Sequence, residues 1–224
     1  MSTAILILGE SGTGKSASLR NLDPAHTLLI QAVKKPLPFR SAGWKYLPEP
    51  GGNMYVSDQS EQIINAIRKT RKSVIVIDDF QYIMSNEFMR RVTDVEIGNA
   101  AFAKYNEIAR HAWDILTASS SLPDNKRVYI LSHTSTDDFG RTKIKTIGKL
   151  LDDKIVIEGL VSIVLKTVVM NGAYLFSTRN SGSDTVKSPI GLFEADFIDN
   201  DLALIDSNIF EYYGLTEPQP QAAA

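Results

Sequence analysis

Short apolar runs alternate along the chain with segments that have the apolar spacing of helices. The runs have the length of strands and are rich in β-branched side chains, which favours strands over helices. We predict strands at residues 4–8, 27–31, 54–57, 73–77, 127–131 and 174–177, and strand-like structure within 155–169. Strands that alternate with helices predict a mostly parallel sheet covered by helices on both faces.

Helical spacing is clear at two places. Asp58 is predicted to be the N-cap of a helix, and Glu61 three positions later forms a variant of the capping box. The apolar stripe of this helix includes Ile63 and Ile67. A second helix is predicted over residues 99–116, where apolar residues recur at the i, i+3, i+4, i+7 spacing.

The remaining segments are predicted to be irregular. Residues 34–53 are rich in proline and glycine, and residues 134–150 and 179–189 are mostly polar. No repeat divides the chain, so we predict one domain over residues 1–215. The last residues, 216–224, read as a disordered tail because they are rich in proline, glutamine and alanine.

A glycine-rich turn follows the first predicted strand directly. Residues 9–16 read GESGTGKS, which fits the P-loop pattern G-x-x-x-x-G-K-[ST]. An ordinary strand–turn–helix connection is the alternative, and the four fixed positions favour the P-loop. Gly9, Gly12 and Gly14 allow positive φ angles and a close approach of the backbone to a ligand. Successive N–H groups then form a concave anion site.

This loop predicts which residues contact a nucleotide. A helix is expected to begin at about Lys15, so that its N-terminus faces the phosphates. The Lys15 side chain can reach the β- and γ-phosphates, and the Ser16 hydroxyl can bind Mg²⁺. The nucleotide-binding residues are therefore predicted to be Gly9, Glu10, Ser11, Gly12, Thr13, Gly14, Lys15, Ser16 and Ala17.

Two acidic residues follow the apolar run at 73–77. Asp78 is predicted to help hold Mg²⁺, as in the Walker B pattern. Asp79 is either the general base for the attacking water or the N-cap of the following helix. Glu10 is a second candidate base. The stretch 31–35 contains no acid, and Gln31 there could only orient a water molecule.

His133 follows another apolar run, which is predicted to lie beside the P-loop strand. It is either a sensor that bonds the γ-phosphate or a surface histidine without a role. Gly9, Asp78 and His133 each follow the carboxyl end of a predicted strand. In parallel sheets these ends meet at one edge, where ligands bind, so the three residues are expected to lie together.

Basic residues cluster within the segment 134–150. They could contact nucleic-acid phosphates, act in trans on the γ-phosphate of a neighbouring subunit, or simply face solvent in a charged hairpin. Arg179, after another strand, is a second candidate for action in trans. The basic residues of the segment are Arg141, Lys143, Lys145 and Lys149.

Composition and charge argue against several kinds of site and partner. The chain has 224 residues, a net charge of −2 and no cysteine, so a strongly basic nucleic-acid binder, a disulfide and a thiolate metal site are not indicated. No apolar run is long enough to cross a membrane, and no signal peptide is evident, so we expect a cytoplasmic protein without a membrane partner. No base-reading motif of the Asn-Lys-x-Asp kind is visible, which favours ATP.

Five segments of the chain are considered together: GESGTGKS, SVIVIDDF, YILSH, TIGKLLDDKIVIEGL and NSGSDTVKSPIGLF. Together they resemble a family of bacteriophage P-loop nucleotide-binding proteins, which are RecA-like ATPases linked to phage recombination and single-strand annealing. The resemblance covers roughly residues 3 to 195. It implies a RecA-like P-loop core, ATP and Mg²⁺ as cofactors, binding of single-stranded DNA through mobile loops, and self-association into a ring or filament in the cytoplasm of the bacterial host.

Three functions are therefore considered. The first is a Mg²⁺-dependent ATPase that acts on single-stranded DNA, is stimulated by it, and controls DNA binding and assembly through its ATP state. Lys15, Asp79 and His133 are its candidate catalytic residues, and Ser16 and Asp78 its metal ligands. The second is a nucleotide-gated protein-interaction module with little hydrolysis. The third is a P-loop kinase for a small molecule, which would need a lid over the phosphates.

Overall fold

The computed structural model describes residues 2–94 and 103–216. These residues contain ten strands and five α-helices. The strands are β1 (Thr3–Leu8), β2 (Thr27–Gln31), β3 (Met54–Val56), β4 (Val74–Asp78), β5 (Arg127–Ser132), β6 (Thr134–Thr136), β7 (Thr142–Ile144), β8 (Ile163–Met170), β9 (Ala173–Ser177) and β10 (Phe197–Asp199). The α-helices are α1 (Ser60–Lys69), α2 (Phe80–Arg90), α3 (Ala103–Ser120), α4 (Lys149–Lys154) and α5 (Leu202–Tyr212).

Eight of these strands form one sheet in the order β10-β9-β8-β1-β5-β4-β2-β3. Six neighbouring strands, β8, β1, β5, β4, β2 and β3, run parallel to one another. Strand β9 pairs with β8 in antiparallel fashion, and β10 pairs with β9 in the same way. The strand that leads to His133 lies beside the P-loop strand, as predicted. A mostly parallel central sheet flanked by helices confirms the predicted α/β fold class.

The central strands are buried on both faces. In β1, Leu6 and Leu8 belong to one apolar core, whereas Ile5 and Ile7 belong to a second core on the other face. The first core also contains residues of α1, α2 and α3, and the second contains residues of α5. Burial on both faces explains why these strands are continuous apolar runs rather than alternating patterns.

The register of the sheet brings three strand ends together. Leu8 of β1 is level with Ser132 of β5, and Ile77 of β4 is level with Ile130 of β5. The residues that follow these strands therefore lie at one edge of the sheet. This is the edge at which parallel α/β sheets bind ligands.

Two predicted element boundaries are wrong. Helix α1 begins at Ser60, and its N-cap residue is Gln59 rather than Asp58. The Asp58 carboxylate instead accepts hydrogen bonds from Asn86 (2.9 Å) and Arg90 (2.6 Å) of α2, so an ion pair with α2 replaces the predicted cap.

The segment 155–169 is not one continuous strand. Residues Ile157–Leu160 form a 3₁₀ turn, and β8 starts only at Ile163. The Glu158 carboxylate is buried and accepts a hydrogen bond from the Ile144 backbone, so this turn is tied to β7. Periodicity does not reveal this break because the apolar residues continue through it.

The polar segment 134–150 is more ordered than predicted. It contains the antiparallel hairpin of β6 and β7 and the first residues of α4. The Asp137 carboxylate accepts hydrogen bonds from the backbone of Phe139 and of Arg141, both at 2.9 Å, and Gly140 has a φ of 77°. A carboxylate that bonds the backbone a few residues ahead stabilises a tight turn in this way.

Strand β10 and helix α5 were not predicted. The signal for α5 is present, because Leu202, Ile205 and Ile209 have helical spacing and all three are buried. Asp201 caps this helix by accepting a hydrogen bond from the Ala203 backbone at 2.9 Å.

Some predictions lie partly outside the described residues. The predicted helix over 99–116 corresponds to α3, which the structure describes from Ala103 to Ser120. The predicted tail, 216–224, lies outside the described residues from position 217 onward. Among the residues described, no helix is long and apolar enough to cross a membrane.

Candidate nucleotide-binding site

The P-loop connects β1 to a short 3₁₀ helix at Ser16–Asn21. Gly12 and Gly14 have φ angles of 79° and 98°, so both need the conformational freedom of glycine. Gly9 does not have a positive φ, contrary to our prediction. Gly9 instead leaves no room for a side chain, because a Cβ atom there would lie 1.8 Å from the Thr167 Oγ1 atom on β8.

The helix after the P-loop differs from the predicted one. It begins at Ser16, close to the expected position, but it is a 3₁₀ helix of six residues. The Ser18 hydroxyl donates to the Lys15 carbonyl at 2.6 Å, and Leu22 is buried with an extended backbone. Serine side chains that bond nearby carbonyls compete with regular helical bonding. A helix this short contributes little dipole, so the backbone amides and the Lys15 ammonium carry the anion site.

The Lys15 side chain folds back over the loop. Its Nζ atom donates to the carbonyls of Gly9 (2.9 Å) and Glu10 (2.8 Å) and lies 3.4 Å from His133 Nδ1. Only 5% of the residue is exposed. Burial lowers the pKa of the Lys15 ammonium, and the Asp79 and Asp78 carboxylates oppose that effect.

The other loop residues fall into two groups. Thr13 is anchored, because its hydroxyl donates to the Glu10 carbonyl at 2.8 Å and is 2.5 Å from the Thr167 hydroxyl. Ser11, Gly12, Gly14, Lys15, Ser16 and Ala17 line the adjacent cavity. The Glu10 side chain is exposed and contributes its carbonyl to Lys15 rather than its carboxylate to the cavity.

Ser16 and Asp78 form a pair of hard oxygen ligands. The Ser16 hydroxyl lies 3.0 Å from each Asp78 carboxylate oxygen, and Asp78 is fully buried. The pKa of Asp78 is raised to about 6, mainly by burial and also by the Asp79 carboxylate, while Lys35 opposes the shift. A hydroxyl beside a carboxylate fits Mg²⁺, which takes few protein ligands and completes its shell with phosphate and water. The described residues contain no group of three or more acidic, histidine or cysteine side chains able to hold a metal.

Asp79 lies at the N-cap of α2, but its side chain makes no capping hydrogen bond. Its Oδ2 atom is 2.6 Å from Lys35 Nζ and 3.8 Å from His133 Nε2. Its Oδ1 atom is buried and has no hydrogen-bond partner within the described part of the chain. A buried carboxylate oxygen without a partner is costly and is suited to accept a proton from a bound water molecule.

His133 lies between the two sides of the site. It is close to both Lys15 and Asp79, and its ring packs edge-on against the Tyr82 ring with 5.9 Å between centroids. Burial and the Lys15 ammonium lower the pKa of His133, which favours the neutral imidazole at neutral pH. A neutral ring can accept from Lys15 at Nδ1 and donate at Nε2.

The site includes residues that sequence reasoning missed. The cavity, about 470 Å³ in volume, has Lys35, Tyr82 and Tyr174 in its walls together with Val33 and Pro38. Its volume is within the usual range for small-molecule sites. The sequence signal for Lys35 is its place just after the predicted strand at 27–31, at the same edge of the sheet as Asp78.

The basic hairpin lies directly after His133. The backbone N–H of Lys145 donates to the His133 carbonyl at 2.8 Å, so the base of the hairpin contacts the site. Arg141 and Lys145 are exposed, and Phe139 at the turn is 89% exposed. Lys143 lies within β7. The side chain of Lys149, the fourth basic candidate of this segment, is outside the described part of the structure.

Arg179 is not brought to the P-loop edge. Strand β9 is antiparallel to β8, so its carboxyl end points away from that edge. The Arg179 guanidinium is paired with Asp196 at 2.7 Å and donates to the Glu194 carbonyl at 3.0 Å. Gln31 is also occupied elsewhere, since it accepts from the Tyr46 hydroxyl at 2.9 Å and donates to the Lys35 carbonyl at 3.1 Å.

Comparisons with known proteins add little to this description. No protein-family model matches the sequence, and no curated protein matches it. Among solved structures, the chain is similar to the KaiC-like protein PH0186 from the hyperthermophilic archaeon Pyrococcus horikoshii OT3. The identity is 13%, the TM-score is 0.45, and the match covers 78% of this chain and 76% of that chain. A similarity at this level carries no argument about activity.

Proposed function

We propose that this protein is a Mg²⁺-dependent ATPase. The observation that carries the proposal is the convergence of Lys15, Ser16 and Asp79 on one cavity at the carboxyl edge of the sheet, with Asp78 bonded to Ser16. These residues provide a cation for the phosphates, oxygen ligands for a metal and a carboxylate for a water molecule. This set of groups suits phosphoryl transfer, which depends on positioning and charge stabilisation.

Each residue has a defined role in the proposed reaction. Lys15 exchanges its loop carbonyls for the oxygens of the β- and γ-phosphates. Ser16 and Asp78 would hold Mg²⁺, which neutralises charge on the phosphates when it is bound. Asp79 accepts the proton of the attacking water through its unpartnered Oδ1 atom, and His133 bonds the terminal phosphate.

Phosphate release from ATP tests this proposal directly. We expect hydrolysis with Mg²⁺, none with excess EDTA, and at least about a hundredfold loss in Lys15→Ala. Lys34→Ala is the matched control, because Lys34 is an exposed lysine that packs over the Tyr46 ring rather than into the cavity. The proposal fails if wild-type protein binds no nucleoside triphosphate.

We propose further that ATP binding controls contact with single-stranded DNA through the β6–β7 hairpin. An exposed aromatic ring at the turn, followed by the exposed Arg141 and Lys145, suits a strand with unpaired bases, since the bases stack and the phosphates are neutralised. The hairpin base is bonded to His133, which contacts Lys15. A role in phage recombination and assembly into a ring or filament belong to this proposal and depend on the family resemblance.

Anisotropy of a labelled oligothymidylate tests DNA binding. We expect ATP to increase the affinity, and salt to weaken it with a slope that falls by about one for each of Arg141 and Lys145 replaced by alanine. Light scattering with ATP and DNA present tests assembly. If DNA changes neither ATP turnover nor ATP affinity, the coupling to DNA is wrong.

The nucleotide-gated module is the second candidate function. The observation in its favour is the ion pair of Asp79 with Lys35, because Lys35 occupies the carboxylate that would bond the attacking water. Single-turnover hydrolysis with and without DNA separates the two functions. A module binds ATP tightly and leaves it intact under both conditions.

A further inference from the structure

Lys35 approaches the candidate site from the wall opposite the P-loop. It follows β2, the strand next to β4, and its Nζ atom is 2.6 Å from Asp79 Oδ2 and 3.9 Å from Asp78 Oδ2. It lines the same cavity as Lys15. Two ammonium groups from different strand ends therefore face one space.

The charges of the site balance without a ligand. Asp78 and Asp79 carry two negative charges, and Lys15 and Lys35 carry two positive charges. A triphosphate with Mg²⁺ adds both signs at once: the metal would pair with Asp78, and the phosphates would pair with the two lysines. Lys15, Lys35 and Asp78 can therefore exchange their ion pairs for ligand contacts, and Asp79 is left to bond the attacking water.

Lys35 is the member of the ion pair that can move. Its side chain is 38% exposed, whereas the side chains of Asp79 and Asp78 are 5% and 0% exposed. The backbone at Lys35 is held, because Gln31 donates to its carbonyl at 3.1 Å and Gln31 itself is fully buried. Any movement is therefore confined to the flexible four-carbon side chain.

We propose that Lys35 is a second phosphate ligand, selective for the terminal phosphate, and that its transfer from Asp79 to that phosphate releases Asp79 as the base. This inference rests on the proposed ATPase function. The terminal phosphate lies between Lys15 and Asp79, within reach of Lys35. ADP lacks that phosphate, so Lys35 stays on Asp79 when ADP is bound.

The transfer of Lys35 from Asp79 to the γ-phosphate comes before the chemical step. Once Lys35 is on the γ-phosphate, a water oxygen forms a bond to the γ-phosphorus and its proton passes to Asp79. The bond from the γ-phosphorus to the β–γ bridging oxygen breaks, and its electron pair leaves with ADP. Asp79 later returns the proton to solvent, and Lys35 returns to Asp79 after phosphate leaves.

Calorimetric titration with ATP and with ADP, both with Mg²⁺, tests this inference. We expect Lys35→Ala to weaken ATP binding about tenfold to a hundredfold, the usual effect of losing one charged hydrogen bond, and to change ADP binding less than about twofold. The adjacent Lys34→Ala should change neither affinity. A slowly hydrolysed ATP analogue keeps the terminal phosphate intact during the titration.

A second variant addresses folding, because Lys35→Ala leaves Asp79 buried without its cation. In Lys35→Met with Asp79→Asn the buried charge is also removed, and we expect the same selective loss of ATP affinity. Asp79→Asn alone should keep the ATP affinity and lose turnover. Equal losses for ATP and ADP, unchanged ATP affinity in both Lys35 variants, or faster hydrolysis in Lys35→Ala would overturn the inference. Wild-type protein that binds neither nucleotide would instead overturn the proposed function.

Discussion

Replacing Asp78 by asparagine should stabilise the protein when neither nucleotide nor metal is present. The carboxylate is fully buried at the end of a central strand, and burial is the main reason that its pKa is raised from 3.8 to about 6. A raised pKa in an acid means that the folded state holds the proton more tightly than the unfolded state. Folding is therefore opposed by the ionised Asp78 at pH 8, and this opposition disappears as the pH falls towards 4.

The size of the effect follows from the same values. A pKa raised from 3.8 to about 6 corresponds to about 3 kcal/mol above pH 7. Asparagine keeps a carbonyl oxygen for the Ser16 hydroxyl but changes the bonding around it, so the net gain should be about 1–3 kcal/mol. For a protein of this size, that gain is an increase of about 3–10 °C in the melting temperature at pH 8.

Thermal melts at pH 8 and pH 4.5 in EDTA test this reasoning. We expect the gain from Asp78→Asn to be largest at pH 8 and to shrink on acidification. Asp206→Asn is the matched control, because the side chain of Asp206 on α5 is only 15% exposed but is paired with Arg127 at 2.7 and 2.8 Å. That variant should lose stability at both pH values. If Asp78→Asn is less stable than wild type at pH 8, or if its gain does not depend on pH, the carboxylate is not under strain from burial.

Three further predictions concern the loop, the sensor and the hairpin. Gly9→Ala should lower the free energy of unfolding by about 2–4 kcal/mol in urea titrations, and adding Thr167→Ala should restore at least about 1 kcal/mol of it. If the losses of the two single variants simply add, a clash between the new methyl group and Thr167 is not the cause. His133→Ala should keep the affinity for ADP within about twofold of the wild-type value, and in anisotropy titrations ATP should no longer change its affinity for DNA. If ATP still changes the DNA affinity of this variant as in the wild type, His133 is not the sensor. Phe139→Ala should weaken oligothymidylate binding by about fivefold to a hundredfold without changing the ATP affinity measured by calorimetry. Unchanged DNA binding would exclude stacking of a base on the Phe139 ring.

The sequence alone predicts the strands and the sheet edge, because these depend on the pattern of apolar residues along the chain. The shortness and β-branched content of a run such as 73–77 favour a strand buried on both faces, and the carboxyl ends of parallel strands share an edge. The positions of Asp78 and His133 relative to the P-loop follow from these two facts. No knowledge of side-chain contacts was needed for that inference.

The remaining features depend on contacts between distant segments. Gly9 is restricted by Thr167, which is 158 residues away and whose position is set by the pairing of β8 with β1. Lys35 and Asp79 form an ion pair across neighbouring strand ends, and each residue alone reads as an ordinary charged side chain. Asp58 was expected to cap its own helix, but its pairing with α2 overrides the local preference.

The most direct test of the central claim is calorimetric titration of wild-type protein and of Lys15→Ala with a slowly hydrolysed ATP analogue and Mg²⁺. We predict saturable binding at one site in the wild type and at least about a tenfold weaker affinity in the variant, with both proteins melting cooperatively. Equal affinities, or no heat of binding from any nucleoside triphosphate, would contradict the assignment of this loop as a phosphate site.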